Sequence, residues 1–460
     1  MRRMSDEADM NEPRWTQDKA WGTPLPGAAS LRRAWYALVV LSLIAILGIT
    51  DRQMLTLAVE PLKQDFRLSD TELGLIVGFG PILFSAIASP LLGWLADRVD
   101  RRWLMVVCIL VWSAGTAACG LVTQSWMLFL CTLTLAVGEA GLGPVVYSLL
   151  PDLFPARLRT TANTIFFAMS LFGAGLGIAG AGAIFRLAEP LARELSMDTW
   201  RLAFLIVAVP GPVIAALFVP IGHPPRGGEG ARTSHVAPET VAQYWRRSGR
   251  MLTCLLFGYA LSAFYVGAIL GWAPVSLIRY FHVDLAQAGV YSGVAIGGGS
   301  VIGVISGAVM ARGLRPRFGH RMPVVVACAM ALAGAGLLLC LSVATTATWL
   351  VATMTGILAA YITGAALTPT LLQDVAPPHL RGRVIGASSL ITYMFQAISV
   401  PAVGAVSDAL HGTHYALLKG TAWLGIPAAL ASAVLFAVCL RAMQARARPQ
   451  GDTRHGTATL

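Results

Sequence analysis

Residues 152–159 read DLFPARLR, and residues 374–381 read DVAPPHLR. Both stretches follow the pattern D-x-x-P-x-x-L-R, and they lie 222 residues apart. A second pair of motifs repeats at a similar interval, because residues 93–98 read GWLADR and residues 307–312 read GAVMAR. Each motif falls at an equivalent place between apolar runs, so the chain is predicted to contain two copies of one arrangement in the same orientation.

The segments between these motifs are strongly apolar. The chain has 460 residues, of which 56% are hydrophobic and 12% are charged, whereas a soluble domain has about 25% charged residues. The apolar runs are near the roughly 20 residues that cross about 30 Å of hydrocarbon. We therefore predict an all-α membrane protein of twelve transmembrane helices in two parallel six-helix repeats. The predicted helices are at about 34–59, 71–95, 103–122, 126–149, 160–186, 200–221, 251–277, 287–311, 322–343, 347–371, 384–407 and 417–441.

The predicted organisation is a tail at 1–33, a bundle at 34–222, a Pro- and Gly-rich linker at 223–250, a second bundle at 251–442 and a tail at 443–460. Of the 34 Lys and Arg residues, 26 fall on the side of the termini and seven on the opposite side. The positive-inside rule then predicts that both termini are cytoplasmic. The strong preference for Arg over Lys, together with abundant Ala and Gly, fits a protein from a GC-rich bacterial genome, which implies the inner membrane. Basic loops facing anionic lipid explain the net charge of +11, so nucleic-acid binding is not expected.

Three charged side chains lie deep within predicted membrane helices, away from the helix ends: Asp51 and Arg52 in helix one, and Glu139 in helix four. A charge near the bilayer centre costs about 3 kcal/mol or more, so each is a candidate functional residue. If both helices line one cavity, Arg52 can pair with Glu139 or with Asp51. Our hypothesis is that Glu139, with Asp51 as a second candidate, takes up a proton, while Arg52 holds a carboxylate or an anionic head group. The alternative is a permanent ion pair that only fixes helix packing.

Several motifs resemble a known family. Residues 93–102, GWLADRVDRR, are similar to the loop signature G-x-x-x-D-R-x-G-R-R of the major facilitator superfamily, with Asp100 in place of the second Gly. Residues 51–53 (DRQ), 138–141 (GEAG) and 152–155 (DLFP) resemble the spinster-like branch. That branch commonly has an Arg seven residues before the helix-four Glu, where this chain has Thr132. A usual pairing partner of Glu139 is therefore absent.

The resemblance implies a secondary active transporter that works by alternating access. It implies proton coupling and an amphipathic, lysolipid-like substrate. It also implies a cytoplasmic gate, in which Asp97 approaches the start of helix eleven and an arginine of the same loop pairs with Asp152. The predicted gate residues are Gly93, Asp97, Arg98, Arg101, Arg102, Asp152, Arg159, Asp374 and Arg381.

Other functions stay open from the residues alone. Arg52 could instead bind a small organic anion for proton-coupled uptake, and efflux of a drug or metabolite is a further alternative. A different class would be a membrane-embedded enzyme or a non-transporting receptor. The sequence has no cluster of His, Asp or Cys at catalytic spacing and no G-x-x-x-x-G-K-[ST] loop for ATP. We therefore expect a monomeric, non-enzymatic carrier with no cofactor or metal, which handles protons and a small or lipid-like molecule.

Overall fold

A computed structural model describes residues 28–96, 98–221, 241–367, 371, 381–410 and 413–447. The described part of the chain is helical and has no strand. We label the long helices α1 to α12. They are α1 Ala28–Leu57, α2 (Asp70–Leu73, Gly74–Phe79 and Gly80–Ala96), α3 Arg101–Cys119, α4 (Ser125–Glu139 and Leu142–Leu153), α5 Ala156–Glu194, α6 (Thr199–Ala208 and Pro210–Phe218), α7 Val241–Phe281, α8 Leu285–Phe318, α9 Met322–Ser342, α10 Ala347–Ala365, α11 Arg381–Ala409 and α12 Ala416–Ala447.

Eleven of these helices have the length and hydropathy needed to cross a membrane. Ten described segments meet both conditions, and one of them, Leu285–Ser342, contains both α8 and α9. The remaining helix, α5, is 39 residues long and packs between α1 and α8. The predicted all-α fold of twelve membrane helices is therefore confirmed.

Parts of the predicted organisation lie outside the described residues. These parts are the N-terminal tail to residue 27, residues 222–240 of the linker region, and the chain from residue 448 onwards. Asp97 and Asp374 also lie outside them, as do the side chains of Arg159 and Arg381.

Several helices are longer than predicted. The seventh begins at Val241 rather than at 251, the eighth ends at Phe318 rather than at 311, and the twelfth ends at Ala447 rather than at 441. The prediction stopped where the apolar run stopped, which is where the hydrocarbon layer ends. The helical hydrogen bonds continue beyond that layer into arginine-rich turns.

Helix α2 contains an irregular turn near its beginning. Residues Gly74–Phe79 form a π-helical segment, in which the N–H of Gly80 donates to the carbonyl of Leu75. Pro81 follows directly, and its ring nitrogen has no hydrogen to donate to the preceding turn. The wider π turn accommodates that missing bond, and such turns often occur at functional positions.

The two halves of the chain meet along two pairs of helices, α2 with α11 and α5 with α8. A Cβ atom added to Gly74 would lie 2.6 Å from Cα of Pro401, and one added to Gly175 would lie 2.7 Å from the carbonyl oxygen of Gly293. The backbones approach this closely because these positions carry no side chain. Along these two helix pairs, the halves therefore approach closely at glycine positions.

Candidate functional site

Arg52 and Glu139 form an ion pair between α1 and α4. Both Nε and Nη2 of Arg52 donate to Oε2 of Glu139, at 3.2 and 2.7 Å. Gly48 provides the space one turn earlier on α1, since a Cβ there would lie 3.5 Å from Cγ and Oε1 of Glu139. The side chain of Glu139 is 10% exposed and that of Arg52 is 52% exposed. The side chain of Glu139 is thus enclosed by packing, while about half of the Arg52 side chain is exposed.

Asp51, the residue before Arg52, points elsewhere. Successive residues of an α-helix are rotated by about 100°, and Asp51 is buried with 1% exposure. The hydroxyl of Thr116 on α3 lies 3.4 Å from its Oδ2, and its Oδ1 has no hydrogen-bond partner among the described residues. An isolated ionised carboxylate is costly in such surroundings. Of the two predicted pairings, the structure therefore forms Arg52–Glu139, and Asp51 lies within the packing of α1 against α3.

Thr132, which occupies the position where the spinster-like branch commonly has an arginine, is a packing residue here. Its side chain is fully buried, and its hydroxyl donates to the carbonyls of Phe129 and Ile76 at 2.8 and 3.2 Å. The second of these bonds joins α4 to the π-helical segment of α2. Within the described chain, the ion pair of Glu139 is with Arg52.

A second polar cluster joins the two halves at the end of the bundle that carries the α1–α2 connection. Its centre is Asp70, which is 2% exposed at the start of α2. Its carboxylate accepts hydrogen bonds from Lys63, from Nη1 and Nη2 of Arg279 at 2.8 and 2.9 Å, and from Ser407 at 2.8 Å. Nε of Arg279 also donates to Glu60 at 3.0 Å. Because Arg279 and Ser407 belong to α7 and α11, these bonds hold the second half against the first.

Asp408 at the end of α11 adds a helix cap across the same interface. Its carboxylate accepts from the backbone N–H groups of Asp70 and Thr71 at 3.0 and 2.8 Å, and from the hydroxyl of Thr71. These N–H groups belong to the first turn of α2, where a helix leaves its donors unpaired. We call the set Glu60, Lys63, Asp70, Thr71, Arg279, Ser407 and Asp408 the closed-face network.

Sequence reasoning missed this network. Its acids and bases lie at helix ends, where charged residues are common and carry no membrane penalty. One signal was available, since Ser69 and Glu72 form a capping box that marks the start of α2. That signal locates the helix terminus but cannot show that α7 and α11 meet it.

At the opposite end of the bundle, the structure brings together two of the predicted gate residues. Arg101 at the start of α3 forms an ion pair with Asp152 near the end of α4. Gly93 lies against Pro144 of α4, at 3.5 Å from a Cβ placed on the glycine. Arg98, another predicted gate residue, stacks on an aromatic ring instead. Its guanidinium lies 3.7 Å from the ring centre of Trp94. The Arg101–Asp152 pair and the contact of Gly93 with Pro144 both lie within the first half of the chain.

Comparison with known proteins identifies the family. The sequence model of the Major Facilitator Superfamily matches residues 41–400. The chain belongs to this superfamily. It is 25% identical over 411 residues to protein spinster homolog 3 of Danio rerio, which covers 84% of this chain and 80% of that protein. It is 26% identical over 289 residues to an MFS-type efflux pump of Mycolicibacterium smegmatis. That match covers 60% of this chain and 61% of the pump, which is less than two thirds of the pump's length.

Solved structures share the fold. A bacterial homolog of the human lysosomal transporter Spinster, in an inward-facing and unoccupied conformation, superposes with a TM-score of 0.76 at 20% identity over 90% of this chain and 97% of that one. A D-xylose-proton symporter superposes with a TM-score of 0.65 at 18% identity, over 86% and 96% of the two chains. This member of the superfamily is therefore a multi-pass membrane transporter that resembles the spinster branch, and it is not an enzyme.

Proposed function

We propose that this transporter is a proton-coupled carrier that moves an amphipathic, lysolipid-like substrate by alternating access. The Arg52–Glu139 ion pair carries the proposal. It joins α1 and α4 of the first half at a depth where unpaired charge is costly, and the side chain of Arg52 is half exposed. A pair that served packing alone would gain nothing from an exposed cation.

In this proposal Glu139 is the proton carrier. Protonation of Glu139 removes the counter-ion of Arg52, and the guanidinium is then free to hold an anionic head group. Deprotonation restores the ion pair and favours release of that group. Asp51 is the second proton site, because its carboxylate is buried and one of its oxygens has no partner among the described residues. Proton and substrate thereby act on one guanidinium, which supplies the differential affinity that coupling requires.

We further propose that the closed-face network is the outer gate. The excess of basic residues on the side of the termini supports a cytoplasmic position for both termini in a bacterial inner membrane. The closed-face network then faces the periplasm, and the conformation described here opens toward the cytoplasm. The predicted gate residues are proposed to close the cytoplasmic side in the opposite state, around the Arg101–Asp152 pair that is already formed within the first half. The working unit is proposed to be the monomer, organised as two bundles at 34–222 and 251–442.

A small organic anion is the second candidate substrate. The observation that favours it is the exposure of the Arg52 side chain. A guanidinium can bind a carboxylate or a phosphate whether or not that group carries an acyl chain. Efflux of a drug or metabolite is a third candidate, supported by the name of the mycobacterial relative.

Transport by the purified full-length protein in liposomes with an imposed pH gradient tests the proposal. The panel contains a lysophospholipid, a small dicarboxylic acid and a cationic dye, each radiolabelled or fluorescent. We expect gradient-dependent movement of the lysophospholipid and no competition from the dicarboxylic acid. Movement of the dicarboxylic acid alone would favour the second candidate. Movement of the transported substrate at the same rate with and without the pH gradient would refute proton coupling.

A further inference from the structure

Two exposed apolar stripes flank the connection between α2 and α3, one on each helix. On α2, Ile87, Leu91 and Trp94 are 54%, 64% and 53% exposed. On α3, Trp103, Val107 and Leu110 are 51%, 53% and 43% exposed. The residues of each set are spaced i, i+4, i+7, which places them on one face of their helix. In a membrane-spanning bundle, such exposed apolar faces are where lipid chains lie.

Each stripe ends at the same membrane surface in a tryptophan with an arginine over it. The guanidinium carbon of Arg98 lies 3.7 Å from the ring centre of Trp94, and that of Arg102 lies 5.3 Å from the ring centre of Trp103. Both distances are within the range of cation–π attraction. Tryptophan rings concentrate at the level of lipid head groups, so both arginines are held at that level.

The arginines of this loop differ in their acidic partners. Arg101 pairs with Asp152, and Arg102 pairs with Asp100. Arg98 is exposed and makes no ion pair with an acid in the described part of the chain. Its position is fixed by the ring of Trp94, while its N–H groups remain available to an acceptor from the bilayer.

We propose that this α2–α3 corner binds an anionic phospholipid, with its acyl chains along the two stripes and its phosphate on Arg98. A guanidinium offers paired N–H donors that match the oxygens of a phosphate. Arg98 is thus a lipid ligand on the outside of the bundle, in addition to the gate role that the resemblance implies for this loop. The proposal does not depend on which substrate the protein carries.

Native mass spectrometry of the purified full-length protein measures this binding directly. Phosphatidylglycerol is the probe, with phosphatidylcholine as the zwitterionic comparison. A basic residue near an anionic surface contributes about 1 kcal/mol, so Arg98→Gln should weaken phosphatidylglycerol binding by about fivefold. The matched control is Arg193→Gln, which removes a 75% exposed arginine of α5 and should leave binding unchanged. Arg98→Lys keeps the charge but loses the planar stack, so its loss should be smaller than that of Arg98→Gln.

Fluorescence quenching by brominated lipids locates the bound molecule. The chain has 12 tryptophans, so the signal of Trp103 is isolated by subtracting the spectrum of Trp103→Phe. At equal mole fraction in nanodiscs, brominated phosphatidylglycerol should quench Trp103 more strongly than brominated phosphatidylcholine, and Arg98→Gln should abolish that difference. Inorganic phosphate should not compete.

Three results would overturn the proposal. The first is an equal loss of phosphatidylglycerol binding in Arg98→Gln and Arg193→Gln, since the loss would then follow net charge alone. The second is equal quenching of Trp103 by the two brominated lipids in the unsubstituted protein. The third is full phosphatidylglycerol affinity in Arg98→Gln. Elution as a single species in size-exclusion chromatography, together with unchanged phosphatidylcholine binding, establishes that each variant is folded.

Discussion

At the scale of single residues, neighbouring charges of α1 have opposite environments. Arg52 borders open space and pairs with Glu139, while Asp51 is enclosed beside Thr116. One turn of the helix therefore presents Arg52 to Glu139 and keeps Asp51 away from solvent. In the proposed mechanism, this separation lets the carboxylate of Glu139 and an anionic substrate compete for Arg52 while Asp51 stays buried.

Glu139→Gln should abolish pH-driven transport while leaving the protein folded. Glutamine keeps the shape of the side chain and can still accept a hydrogen bond from Arg52, but it cannot exchange a proton. The measurement is substrate movement in liposomes with and without an imposed pH gradient. The control is Glu189→Gln, which neutralises an exposed acid on α5 and should keep the gradient dependence. Full pH dependence in Glu139→Gln would reject Glu139 as the proton carrier.

Sequence identified the buried charges but could not assign their partners. Asp51, Arg52 and Glu139 are recognisable because ionisable residues are rare inside apolar runs. The choice of Glu139 over Asp51 as partner of Arg52 depends on how α1 is rotated against α4, and no local pattern encodes that rotation. Asp70 and Asp408 were not recognised because an acid at a helix end is ordinary, and only the fold brings the two ends together.

At the scale of helices, the start of α2 is held by a cap from each half of the chain. Ser69 caps it locally, and Asp408 caps it from α11. Removing the second cap leaves the helix formed but takes away one of the contacts that hold it to the other half. In the proposed transport cycle, the cap of α2 is a contact that must break when the closed face opens.

Asp408→Ala should weaken the closed face more than Asp408→Asn does. Asparagine caps helix N-termini about as well as aspartate, whereas loss of a cap to alanine costs about 1 kcal/mol. We expect the order of thermal stability to be unsubstituted protein, then Asp408→Asn, then Asp408→Ala. A melting curve of the purified protein checks this order. Equal melting temperatures for the asparagine and alanine variants would show that capping is not what Asp408 contributes.

Gly74→Ala should force α2 and α11 apart. The added Cβ would lie 2.6 Å from Cα and 2.7 Å from N of Pro401, and backbone atoms cannot move aside as a flexible side chain can. The control is Gly336→Ala on α9, where a Cβ meets nothing within 4 Å. We expect a lower melting temperature for Gly74→Ala and no decrease for Gly336→Ala. Equal behaviour of the two variants would mean that the contact between α2 and α11 is looser than described.

At the scale of the whole molecule, the two copies of the repeat have become unequal. The ion pair of the proposed transport site lies in the first half, and the second half supplies Arg279, Ser407 and Asp408 to the closed-face network. The repeat pattern of the sequence predicts the two six-helix halves well. It could not predict how they meet, because that depends on tertiary contacts between residues more than 200 positions apart, such as Asp70 and Arg279.

Asp70→Asn should shift the whole transporter toward opening of the closed face. Asp70 is 3% exposed as a side chain and accepts from Lys63, Arg279 and Ser407. Removing one partner of a buried ion pair costs about 3 kcal/mol, which corresponds to roughly a hundredfold change in the ratio of the two states.

Pulsed electron paramagnetic resonance can measure that ratio with spin labels at Gln64 and Gln287. Both residues are exposed, the first on the short helix Val59–Phe66 and the second on the first turn of α8. The labels are introduced as cysteines in a background from which the seven native cysteines have been removed. We expect a short distance in the parent protein and a longer population in Asp70→Asn, because the closed-face network ties the segment that carries Gln64 to Arg279 at the end of α7, and α8 with Gln287 follows directly after α7. Glu189→Gln neutralises an exposed acid near the end of α5 and should leave the short distance unchanged. An unchanged distribution in Asp70→Asn would show that the glycine contacts of α2 with α11 and of α5 with α8, rather than the charges, keep this face closed.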